Sequence, residues 1–163
     1  MKSTVDAPML PPVVKSLVVA RSQADAFRLY TDEISMWWPK SKFSIGQDKV
    51  ASVAIEARVG GRIFEVWQDG TEKVWGTIIA WEPPSRLIHT WHVATDPEHS
   101  SEVELRFAPL GAKRTRVTLE HRQWERMSGE RAAGIRENYN NGWQAIMHEF
   151  FGGYAGLADG ETP

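Results

Sequence analysis

The sequence predicts an α+β fold in which a curved antiparallel sheet wraps one long C-terminal helix. Three observations predict it. From Ala51 to Trp124 apolar and polar residues alternate with a period of two, punctuated by glycine and proline. From Glu130 to Leu157 the apolar residues Ile135, Tyr139, Trp143, Ile146, Phe150, Tyr154 and Leu157 recur at steps of three and four, the stripe of an amphipathic helix. The strands fill the middle of the chain and the long helix comes last, so one sheet can close over one helix.

The elements follow in order. Val13–Ala20 is β-branched and apolar and reads as a first strand. Ser22 is placed to cap a short helix carrying Ala24, Ala26, Phe27 and Tyr30. Ile34 to Trp38 is a second helical piece, stopped by Pro39, and Lys40 to Val50 is a polar loop. Six strands are expected at Val53–Arg58, Arg62–Gln68, Glu72–Ala80, Arg86–His92, Ser101–Phe107 and Arg114–Arg122. Gly60-Gly61, Asp69-Gly70 and Leu110-Gly111 mark hairpins, Asp-Gly most strongly, and Pro83-Pro84 breaks another connection. In the last two strands Val103, Leu105, Phe107, Val117 and Leu119 alternate with charged and polar residues, so one face is buried and the other wet. His121 shares parity with Val117 and Leu119 and is expected to point inward. Gly142, Gly152 and Gly153 weaken the last helix, so some of them should serve close packing or a bend.

Length and composition bound the rest. A chain of 163 residues is expected to form one domain, here residues 13–157, between flexible termini at 1–12 and 158–163. With no cysteine there is no thiol chemistry, disulfide or cysteine-type zinc site. A net charge of −2 with mixed signs gives no electrostatic support for nucleic-acid binding. No apolar run approaches a membrane span, and Met1–Pro12 lacks the apolar core of a signal peptide. A cytoplasmic location is expected. His89, His92, His99, His121 and His148 have no recognised metal spacing, so neither metal nor cofactor is expected. Gly60-Gly61 lacks the spacing of a nucleotide loop.

Eight tryptophans are many for so small a chain. Each is large and amphipathic, and a buried indole N–H needs a partner. They point to a broad aromatic interior, hollow or filled. Several lie in short motifs: Trp37-Trp38-Pro39, Gly60-Gly61-Arg62-Ile63-Phe64-Glu65, Trp75-Gly76, Trp81-Glu82-Pro83-Pro84, Leu119-Glu120-His121 and Gly142-Trp143. In that order, over about Val14 to Leu157, they resemble the START/SRPBCC (helix-grip, Bet v-like) superfamily. Within it the chain resembles the family named for the activator of the heat-shock-protein-90 ATPase.

The resemblance implies a seven-stranded antiparallel sheet gripping the C-terminal helix, with a cavity between them. Superfamily members bind lipids, sterols, polyketides and other apolar molecules, and a minority are cyclases or dehydratases. The activator that names the family carries an additional N-terminal domain, whereas only Met1–Pro12 precede the first strand here. The resemblance therefore favours binding of a small apolar or aromatic molecule over chaperone regulation, although a protein partner stays open.

Ten residues are candidates for the ligand site. Trp143, Met147 and Phe150, with Ile146, would form one wall on the last helix. Trp37 and Trp38 would stand beside the entrance. Trp67, Trp75 and Trp91 lie on strands whose faces parity alone does not fix. Glu65 sits between Phe64 and Val66, with Ile63 and Trp67 at its own parity, so its face is also ambiguous. Turned inward, it would be a buried carboxylate able to anchor a ligand or act as an acid or base; with a structural arginine or indole N–H for a partner, it would only fix strand geometry. His121 could bond a ligand or shuttle a proton, or be a satisfied core histidine. A binding protein is expected ahead of a cyclase- or hydrolase-type enzyme using Glu65 or His121. A protein-interaction module would instead present an exposed apolar patch of tryptophan.

Overall fold

The computed structural model describes residues 10–93, 95–127 and 131–159. Seven antiparallel strands form one sheet: β1 (Val13–Val19), β2 (Val50–Ile55), β3 (Arg62–Trp67), β4 (Glu72–Glu82), β5 (Arg86–Trp91), β6 (Ser101–Gly111) and β7 (Arg114–Arg122). Their spatial order is β1-β7-β6-β5-β4-β3-β2, so the first two strands of the chain sit on opposite edges. Helices α1 (Gln23–Thr31) and α2 (Ile34–Trp37) make the crossing between those edges. The C-terminal helix packs on the concave face in three parts: α3 (Ala132–Gln144), a π-helical stretch Ala145–Phe151, and α4 (Gly152–Ala155). This is the helix-grip architecture.

Local chemistry sets most boundaries. The Ser22 hydroxyl accepts from the Asp25 amide and caps α1. Trp38 turns to extended backbone ahead of Pro39 and ends α2. Gly70 takes φ +90° in the Asp-Gly hairpin between β3 and β4, a conformation that favours glycine.

Three expectations need correcting. The second strand runs Val50–Ile55 rather than Val53–Arg58. Residues 56–61 turn instead, because the Glu56 carboxylate accepts from both the backbone and the guanidinium of Arg62. Strands β4 and β6 continue to Glu82 and Gly111, beyond the apolar alternation that marked them. The last helix is not one regular α-helix, and Glu130, its expected start, lies outside the described residues. In the π stretch each turn takes up an extra residue. The buried positions become Trp143, Met147, Phe151 and Ala155, so Phe151 is in the core while Phe150 is half-buried. Leu157 leaves the helix and bridges to Val19 on β1.

Of Gly142, Gly152 and Gly153, the first two meet close neighbours. A Cβ on Gly142 would stand 3.2 Å from the Phe43 ring, and one on Gly152 2.9 Å from Leu157. At the chain ends, Arg136 donates to the carbonyls of Pro11 and Pro12, and the Ala158 amide donates to Val18.

The sheet faces divide as the alternation requires. Leu17, Leu87, Val103, Leu105, Phe107, Val117 and Leu119 are buried against the helices. The outer face carries Arg86, Arg106 and Arg122 in ion pairs with Glu102, Glu104 and Glu120, and the arginine stems cover Glu104.

Candidate functional site

Glu65 settles the orientation of β3. It points inward and is fully buried. Each carboxylate oxygen accepts two hydrogen bonds: Oε1 from the Ile45 amide at 2.7 Å and Trp75 Nε1 at 2.6 Å, Oε2 from the Gly46 amide at 2.7 Å and Trp67 Nε1 at 2.8 Å. Two donors are indoles on β3 and β4, and two are backbone amides of the loop between α2 and β2. A buried carboxylate is expensive unless its lone pairs are filled, and here they are. Glu65 therefore ties the loop to the sheet.

Two further contacts hold the same loop. Trp38 Nε1 donates to the Phe43 carbonyl at 2.7 Å, and the Phe43 ring lies against Gly142 of α3. The loop thus spans from the sheet to the gripped helix, over the tryptophan core.

Beneath it the tryptophans touch. Ring centroids are 5.0 Å apart for Trp38–Trp75, 5.4 Å for Trp75–Trp91, 5.4 Å for Trp91–Trp143 and 5.9 Å for Trp38–Trp143. Trp37 packs behind them on Trp38 and Phe151, with its indole donating to the Leu29 carbonyl. Met147 is fully buried in the same core.

His121 is fully buried on the far side of this cluster. Trp143 Nε1 donates to His121 Nδ1 at 2.9 Å. An indole N–H can only donate, so Nδ1 is the acceptor and the ring proton sits on Nε2. That proton goes to Ser101 Oγ at 2.7 Å, whose own hydroxyl reaches the Trp91 carbonyl at 3.3 Å. Glu65 and His121 share no hydrogen-bond partner, and the route between them runs through Trp75 and Trp91. Among the described residues no buried side-chain polar atom lacks a partner.

Burial holds His121 well below the usual imidazole range, with nearby His89 adding to the effect. Burial likewise lowers His89 to about 4. Both rings are neutral in the fold, whereas in the unfolded chain they titrate near ~6.5. Their contribution is therefore complete above that value and is lost as pH falls, because the unfolded state binds protons the native state refuses. We expect stability to drop between about pH 7 and about pH 5, by about 2 kcal/mol from His89, with His121 acting in the same direction. Urea midpoints across that range measure it, and a flat profile would mean that the rings are protonated in the fold.

A groove of about 730 Å³ opens where the loop meets the end of the sheet. Its walls are Ser44 and Ile45 of the loop, Lys73 and Val74 of β4, and His92, Val93, Thr95 and Asp96 after β5. Directly opposed residues on antiparallel strands share a face, and Lys73 pairs with Glu65, so Lys73 stands on the inner face. The groove thus borders the inner face at the end of the sheet. The Val93 carbonyl at its edge accepts weakly from Tyr139 of α3, at 3.4 Å. Partial burial lowers His92 below the ordinary imidazole value.

The structure therefore brings Trp38, Glu65, Trp67, Trp75, Trp91, His121, Trp143 and Met147 into one connected interior, with Trp37 behind and Phe150 at its margin. Lys73, Val74, His92 and Val93 join the site without having stood out in the sequence. Their only sequence signal is position: each lies within two residues of an inward tryptophan.

A sequence model of the family described as Activator of Hsp90 ATPase homolog 1-like protein matches residues 20–153. Among solved structures, the anthrahydroquino-γ-pyrone synthase Txn09, in a complex, is 38% identical with a TM-score of 0.56, over 81% of this chain and 88% of its own. CalC from Micromonospora echinospora, a self-sacrificing resistance protein, is 27% identical with a TM-score of 0.63, over 90% of this chain and 97% of its own. PFC0360w, an Hsp90 activator from Plasmodium falciparum, is 17% identical with a TM-score of 0.64, over 91% and 99%, a likeness of fold alone. No curated protein matches the chain.

Proposed function

The chain belongs to the family of activator of Hsp90 ATPase homolog 1-like proteins, and on that premise we propose that it binds a small aromatic or otherwise apolar molecule in the groove that borders the inner face at the end of the sheet. The observation that carries this reading is the 730 Å³ groove, walled by Ile45, Val74 and Val93, beside the inner-face tryptophans. Indoles whose N–H groups are already bonded offer flat faces without a desolvation cost. The resemblance to Txn09 supports the aromatic class, since that protein's name describes a synthase of a fused-ring product. A ligand seated there would rest on Ile45, Val74 and Val93, and reaching the buried faces of Trp75 and Trp91 would require the loop over Glu65 to open.

An enzyme of the cyclase kind is the second reading. Glu65 and His121 support it poorly as acid or base, because the protein already occupies their polar atoms. His92 is the imidazole that lines the groove, unprotonated at neutral pH. A protein-interaction module finds less support still, since none of the eight tryptophans is exposed.

The test is a titration of the purified protein with 2-(hydroxymethyl)anthraquinone, followed by tryptophan fluorescence and native mass spectrometry. Saturable quenching and a one-to-one complex are expected. Linear quenching with no retained ligand would end the reading.

A further inference from the structure

We infer that the groove selects anionic aromatic molecules, those bearing a carboxylate or an ionised phenol, through Lys73. The inference rests on the binding site proposed above and names the class of ligand it takes.

Among the described residues no carboxylate pairs with the Lys73 ammonium. The ammonium lies over the Trp67 ring at 5.3 Å from the centroid, its one contact of this kind among the described residues. The neighbouring carboxylates are engaged elsewhere. Glu65, opposite Lys73 in the sheet, is filled by four N–H donors. Glu72, next in sequence, pairs with Arg62 at 2.8 Å. Asp96, the one carboxylate lining the groove, accepts from His99 through both its ring and its amide.

The same surface is reinforced from the other side of Trp67. Lys49, just ahead of the strand that flanks β3, holds its ammonium 4.9 Å from the same ring centroid. The indole N–H of Trp67 is turned away to Glu65. The ring therefore carries one cation from β4 and one from the turn ahead of β2, and Lys73 is the one that faces the groove. Apolar walls at Ile45, Val74 and Val93 would take a ring system, and Lys73 at the rim would take its anionic edge. A neutral ligand would leave that ammonium as it is, and a cationic one would be repelled.

The experiment is isothermal titration of the intact protein with a matched pair of probes, anthraquinone-2-carboxylate and neutral 2-(hydroxymethyl)anthraquinone. The carboxylate is expected to bind roughly three- to fivefold more tightly at low salt, with the margin shrinking as salt is raised. Lys73→Gln should remove the margin by weakening the carboxylate probe selectively. Lys73→Arg should keep it, and Lys113→Gln, at an exposed hairpin remote from the groove, should alter neither probe. Equal binding of the two probes by the native protein overturns the inference while the binding site stands. So does a Lys73→Gln variant that weakens both probes alike, since the side chain would then act only by packing. If neither probe binds, the site and its selectivity fall together.

Discussion

Replacing Glu65 by glutamine should destabilise the protein by about 3 kcal/mol, although the two side chains have nearly the same shape. The carboxylate accepts four hydrogen bonds and donates none. An amide keeps one oxygen and puts an NH2 group against two of the four donors. Those donors, a backbone N–H and an indole N–H, would then face an NH2 group instead of an oxygen. The loss should appear as a lower urea midpoint with an unchanged slope. A local signature should accompany it: the Ile45 and Gly46 amides, protected by Glu65 in the native protein, should exchange with solvent faster than the sheet amides. An unchanged midpoint would remove Glu65 from its role as the tie between loop and sheet.

Gly76→Ala should be more damaging still. A Cβ at that position would lie 1.7 Å from the Thr90 carbonyl oxygen and 2.6 Å from its carbon. Both atoms are backbone, so no rotamer change relieves the clash. The strands would have to part next to the point where the His92 amide donates to the Trp75 carbonyl. Costs above about 4 kcal/mol come from such unavoidable collisions, and a domain's whole margin is only about 5–15 kcal/mol. We expect the variant to be largely unfolded or insoluble, with near-ultraviolet circular dichroism reading the loss of the tryptophan core. A native-like spectrum and midpoint would show that β4 and β5 separate at little cost.

Much of this architecture is legible in the amino-acid sequence. Alternation marks the strands, and parity with Val117 and Leu119 turns His121 inward. What the sequence conceals, it conceals for physical reasons. Glu65 has apolar neighbours at both parities, so alternation cannot choose its face; two indole donors and two loop amides choose it. Residues 40–50 read as a polar loop, and nothing in their composition shows that the amides of Ile45 and Gly46 belong to a carboxylate on another strand. A regular helical spacing puts Phe150 on the buried stripe, and only the π stretch, which the sequence does not announce, moves burial to Phe151. The groove is assembled from the loop, one strand and the turn after another, so Lys73 and His92 become neighbours only in three dimensions.

The strand order has a consequence for how the molecule is assembled. Among the strands β1 pairs with β7 alone, with Val13 opposite His121 and Val19 opposite Thr115, and β2 closes the other edge. The first strand to leave the ribosome therefore waits for the last. Until then β7 presents an open hydrogen-bonding edge to other chains. So distant a pairing implies a folding time on the order of milliseconds to seconds, and a vulnerability to association before β1 docks that the finished molecule does not share.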